Sequence, residues 1–159
     1  MNKFPILIAM AISLPSAAFC AESAEDLLIK ISLIEGENSK DKHATVKEIM
    51  LDKQHLTYHK TYTGFMRDKG KNIQKTMEIN SDSLSEIKTV SKKMQQEKDQ
   101  HPAMKIQGVG RYCILSSEIR LEGKTANTRL EGMMKQVEKT AAYQHTQALI
   151  RIMEAEMDM

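Results

Sequence analysis

Tryptophan is absent from this chain, and four tyrosines with three phenylalanines hold the aromatic fraction to 4%. Proline occurs three times, glycine seven times and cysteine twice in 159 residues. Each scarcity excludes something. Two cysteines cannot build the disulfide framework that holds many small secreted domains together. Few glycines and prolines exclude collagen-like and Pro/Gly-rich low-complexity chains. Scarce strand-favouring aromatics and turn formers argue against an all-β chain and set the expectation of a helical one. No apolar run approaches the ~20 residues of a membrane span. Charge shows no bias either: 23 Lys and Arg stand against 21 Asp and Glu, for a formal net charge of +2. The two signs are interspersed, which offers little to nucleic acid or an anionic membrane surface.

The one apolar run, Phe4 to Leu14, follows Lys3 and is broken by Pro15 and Ser16, with Ala17 and Ala18 next. This is the pattern of a removable secretory signal, expected over residues 1–20. A buried N-terminal helix is the alternative. Cleavage after Ala18 would leave Cys20 able to bridge Cys113, whereas cleavage after Cys20 leaves Cys113 as the only thiol. Lipidation at Cys20 is disfavoured by bulky Phe19 immediately before it. The expectation is one domain over residues 21–159, periplasmic or extracellular. Cys113, between Tyr112 and Ile114, reads as a small core hydrophobe.

The strongest periodic stretch is Asn127 to Met157. Leu130, Met134, Val137, Ala141, Ala148, Leu149 and Ile152 fall at helical spacings, with Met133 and Met153 widening the stripe. Thr128 and Glu131 have the spacing of a capping box. Leu130, Met134, Val137, Leu149 and Ile152 are therefore expected as the spine of the core, and Gln136, Gln144 and Arg151 as an exposed contact face. Upstream, Ser23 to Ile34 reads as a first helix ending at Gly36, and Ala44 to Arg67 as a longer second one. Ile73, Met77 and Ile79 fit either a helical extension or a brief strand. The cap cluster Asn80 to Ser83 opens a third helix with Leu84, Ile87, Val90 and Met94 inside. Arg111 to Glu122 fits strand alternation and helical spacing alike, and helix is the expectation, since a lone strand would lack a partner. The fold expected is all-α, an elongated bundle of three to four helices with a small irregular middle segment.

Chemistry-bearing patterns are sparse. Asp52, His55 and His59 would share one helical face, and two histidines at i, i+4 can clamp zinc or copper. The zinc-protease pattern is absent, because no Glu adjoins His55, and a solvated pair is the plainer reading. The methionines read as core filling rather than as copper(I) ligands. No phosphate loop, serine elbow or catalytic Cys–His pair is present. The expectation is a non-enzyme with no cofactor.

The run Asn127 to Thr140, followed by Gln144 to Glu156, resembles the C-terminal helix of the minor pilus-tip subunits of type IV, conjugation-type secretion systems. Gln147, Leu149, Arg151, Ile152 and Glu154 sit near places in that family's Gln-x-Leu-x-x-Arg-Ile-x-x-Glu pattern. Ala141-Ala142-Tyr143 replaces the Asp and Lys usual after the Thr. The resemblance implies a three-helix bundle with a small appendage at a pilus tip. Its partners would be other proteins of a cell-envelope assembly, without nucleic acid, small-molecule substrate or membrane span. A soluble periplasmic binding or chaperone-like protein is the alternative function, and a metal-handling protein using His55 and His59 a further one.

Overall fold

The computed structural model describes residues 26–37, 43–64, 70–97 and 110–158. Its frame is a six-stranded antiparallel sheet: β1 (Leu28–Glu37), β2 (Ala44–Asp52), β3 (His55–Thr63), β4 (Ile73–Glu78), β5 (Arg111–Leu121) and β6 (Lys124–Met133). The strand order is β4-β3-β2-β1-β5-β6. A four-strand meander is thus completed by a hairpin on its β1 side. Helix α1 (Ser81–Gln96) joins the two parts, and the one-turn α2 (Met134–Val137) and α3 (Ala141–Glu156) end the chain. The all-α bundle expected from composition is not what the chain forms.

Alternation explains the correction. In β1, Ile29, Ile31 and Leu33 are buried, whereas Lys30 is exposed and Ser32 half-buried. The apolar residues Leu28 and Ile34 occupy the other parity, so the segment also satisfies a helical spacing. Pairing on both sides decides for the strand: Ile31 lies opposite Ile49 of β2 and opposite Ser117 of β5. The expected second helix is a hairpin, with Ile49 facing Tyr58 and Leu51 facing Leu56. Its two-residue turn contains no glycine, and Lys53 takes φ 57° there. Ile73 to Glu78 takes the strand alternative.

Arg111 to Leu121 does find partners, β1 on one side and β6 on the other. The β5–β6 turn is Glu122 (φ 53°) and Gly123 (φ 72°), the two left-handed residues that match the twist of a tight hairpin. The expected C-terminal helix is interrupted accordingly. Lys124–Met133 is strand, which puts Thr128 and Glu131 on opposite faces of the sheet rather than in a capping box. The helix that does form starts later, at Thr140, whose hydroxyl accepts from the Tyr143 amide. The third expected helix stands as α1, but its cap is Asn80, whose Oδ1 accepts from the Ser83 amide at 2.9 Å.

Helices α1 and α3 cover one face of the sheet. They lie side by side and antiparallel: Ser83 Oγ donates to Glu156 at the start of α1, and Glu97 at its end meets His145 Nδ1 at 3.0 Å. Leu33, Leu51 and Leu115 of the sheet and Ile87, Leu149 and Met153 of the helices fill the space between. The expected spine residues Leu130, Met134, Val137 and Leu149 are buried and Ile152 is partly so, but they sit on a strand and two helices instead of one. No described helix is long and apolar enough to cross a membrane.

Candidate functional site

Because strand side chains alternate, the residues that miss the helical layer form a second surface. Register places them in rows. One row runs Thr57, Met50, Lys30, Glu118 and Asn127, from β3 through β6. The next runs His59, Glu48, Ser32, Ser116 and Arg129. These residues line a shallow depression of about 580 Å³ across the open face. Ser32 and Ser116, opposite one another on the central strands, make its low floor. Lys30 Nζ meets Glu118 Oε2 at 3.4 Å, and Arg120 Nη2 meets the same carboxylate at 3.4 Å. Met50, at 44%, is the exposed large hydrophobic residue of the described chain.

Nucleophilic chemistry does not follow from the serines. His59 is the histidine of their row, but β3 and β1 are two strand spacings apart, about 10 Å. A base must lie within hydrogen-bond reach of the group it activates. Opposed charges, hydroxyls and a thioether on a broad face suit contact with another surface.

A second polar region lies where α3 crosses the sheet. Glu154 Oε1 accepts from Lys47 Nζ at 2.8 Å and from the Tyr58 hydroxyl at 2.7 Å. Burial alone would raise the Glu154 pKa. The hydrogen bonds from Lys47 and Tyr58, with the charges of Lys47 and Lys60, outweigh it and hold the carboxyl below its ordinary value. Burial, and then the Glu154 carboxylate, push the Tyr58 phenol well above its usual range. Lys75 Nζ donates to the Met157 carbonyl at 2.7 Å, placing a cation at the C-terminal end of α3. At the other end of the helix, Tyr143 donates to Glu35 Oε1 at 2.9 Å. Burial, with that carboxylate, raises the Tyr143 phenol as well. Glu35, Glu138, Tyr143, Gln144, Gln147 and Arg151 line a half-open polar depression of about 410 Å³ here.

The residues singled out from the sequence are scattered by this fold. Gln144 and Arg151 are exposed and share the smaller depression, while Gln136 is exposed on α2. Asp52 and His55 face each other across the β2–β3 turn, and His59 stands four residues along β3, about 13 Å from His55. His55 Nε2 instead meets Glu78 of β4 at 3.2 Å. A helical i, i+4 clamp is not formed, and among the described residues no three metal-ligating side chains converge. Cys113 is a buried free thiol, raised to about 12 by burial and the nearby Glu35 charge. Cys20, its one conceivable bridge, lies outside the described residues.

Sequence reasoning missed Lys30, Glu48, Ser116 and Glu118, and put Arg129 on the polar side of a helix rather than on this sheet face. Their signal was available as alternation with buried neighbours in residues 28–34, 44–52 and 111–121. The fold and this surface define an α+β two-layer sandwich, one sheet face of which no described element covers. The chain matches no protein-family model and no curated protein.

Proposed function

We propose that this protein is a non-enzymatic interaction protein of the cell envelope, and that it meets its partners through the open face of its sheet. The observation that carries the reading is that face: a broad depression with paired opposite charges, exposed Met50, and no covering element among the described residues. Exposed apolar area set in a polar rim is the ordinary composition of a reversible protein contact. Export rests on Lys3, the Phe4 to Leu14 run and Ala17-Ala18. A soluble binding or chaperone-like protein is the broad form of this reading, and a minor component of a conjugation-type pilus is the narrow one. The resemblance behind the narrow form requires a continuous helix from Asn127. With Lys124–Met133 a strand, that resemblance does not carry the proposal.

The helical side offers a second surface, since Gln144 and Arg151 share a depression with Glu35. Photo-crosslinking residues placed at Thr57 and Ser116, at Gln144, and at Glu86 as a control distinguish the two. The open-face positions are expected to give protein adducts in cells and Glu86 none. Adducts from Gln144 alone would move the contact to the helical layer. None from any position would refute the reading.

A further inference from the structure

We infer that the occupant of the open face is a second copy of this chain, the two sheets packing face to face about a two-fold axis that runs along the strands between β1 and β5. The inference rests on the reading of that face as a contact surface, and goes on to name the partner. Its ground is the order of charges along the rows.

An axis parallel to the strands and midway between β1 and β5 lays β1 of one copy over β5 of the other, and β2 over β6. In the first row, Lys30 then stands over the second copy's Glu118. In the next row, Glu48 stands over the second copy's Arg129 and Ser32 over Ser116. In the row beyond, the half-buried Ile34 stands over Ile114, and Val46 meets the aliphatic stem of Glu131. Two-fold symmetry makes every one of these contacts twice, because an isologous interface is self-complementary. No like charges meet in these three rows. The existing Lys30–Glu118 pair straddles the axis, so the second copy's pair crosses it in the reverse sense and closes a ring of four alternating charges.

The competing two-fold arrangement fails the same test. An axis across the strands, between the first two rows, would lay each strand over itself. Lys30 would then face Ser32, Glu118 would face Ser116, Glu48 would face Met50, and Arg129 would face Asn127, so no opposite charges would meet across that axis. Four strands overlap about the first axis, β2, β1, β5 and β6. At ~4.8 Å each and about eight residues at ~3.4 Å they give roughly 500 Å² per copy, the low end of a specific interface and that of a reversible dimer. Packed sheets lie ~10 Å apart and usually rotate by ~30°, an offset that Lys, Glu and Arg side chains can span. The same axis lays exposed Met50, an unbranched side chain suited to irregular gaps, over the second copy's Asn127.

Sedimentation equilibrium of the purified full chain between 1 and 100 µM, protein concentrations set for the experiment, tests the inference. Twice the monomer mass is expected, and a monomer at the upper concentration overturns it. Glu48→Arg and Arg129→Glu should each weaken the dimer at least about tenfold, since each places like charges face to face. Circular dichroism should stay at the parent spectrum for both. Mixing the two variants is the decisive arm: every reversed charge then meets an opposite one across the axis, and a mixed dimer should form where neither variant dimerises alone. Failure of the mixture to associate overturns the stated geometry. A monomeric protein whose Ser116 crosslinker still captures another protein overturns the dimer and leaves the contact-surface reading standing. A monomer with no Ser116 adduct overturns both.

Discussion

The two faces of the sheet are built by the same strands from alternate residues of the same backbone, yet the inner one is nearly all apolar and the outer one mixed. On β5, Cys113, Leu115, Ile119 and Leu121 point inward and are fully buried, while Ser116 points outward and is exposed and Glu118 keeps partial exposure. On β1, Ile29, Ile31 and Leu33 alternate with Lys30 and Ser32. The inner face has a fixed partner, the α1–α3 layer, and its residues are chosen for volume. The outer face is chosen for charge order and modest relief, which matter to a partner that arrives from outside. Stability and recognition are therefore separable here by residue parity.

That separation can be broken by experiment. Leu115→Asp should have the largest effect, because an unpaired carboxylate would sit among Leu33, Leu130 and the helices; several kcal/mol are lost, enough to unfold a marginal domain. Leu115→Ala should cost about 3 kcal/mol in chemical denaturation, the usual range for a truncated buried leucine. A loss below ~1 kcal/mol would mean that the helical layer does not pack as described. Asn80→Ala removes the cap of α1 and its amide contacts to Glu156, and should cost about 1 kcal/mol. Ser116→Ala and Thr57→Ala on the outer face should stay within about 0.5 kcal/mol of the parent. A larger loss at Ser116 would show that the outer face is also structural.

Acid sharpens the comparison from another side. The Glu154 carboxyl is held below its ordinary 4.5, so its ionised form is favoured more in the folded chain than in the unfolded one. Its contribution is present in full above that value and fades as pH falls through the folded-state pKa. Melting temperature should therefore drop below pH 4.5 in the parent, and more shallowly in Glu154→Gln. Equal acid slopes for the two proteins would remove Glu154 from the account. The smallest response expected is that of Cys113: with its thiol at about 12 and fully buried, alkylation at pH 8 should track global unfolding and show no fast phase.

Some of this molecule could be read directly from the sequence. The cap cluster at Asn80 to Ser83 and the Leu84, Ile87, Val90, Met94 stripe mark α1 because every cue there agrees. Leu130, Val137 and Leu149 are legible as core since burial follows apolarity whatever the element. The strands were hidden for separate physical reasons. In β1 and β2 apolar residues sit on both faces, which blurs period 2 into spacings of 3 and 4. The β2–β3 turn is Lys53-Gln54, with no glycine or asparagine to announce it. At β5 the alternation was plain, and Glu122-Gly123 was a usable hairpin signal. What was missing there was the partner, β1, whose own strand had been obscured. The candidate surface followed the same fate, because outward positions are defined only once the strands are.

The place of β1 in the sheet also bears on how the chain reaches its fold. β1 is made first but sits fourth across the sheet, and its second neighbour arrives about 90 residues later, when Ile119 comes to lie beside Ile29. Until then the meander β1 to β4 has a bare edge of ten residues carrying Ile29, Ile31 and Leu33, a ready template for mispairing. Such distant closure slows folding, since the entropy of the intervening loop is lost before the contact is gained. Newly made chains should accordingly aggregate most readily when truncated between Gln96 and Arg111, and a binder that caps the β1 edge should rescue them.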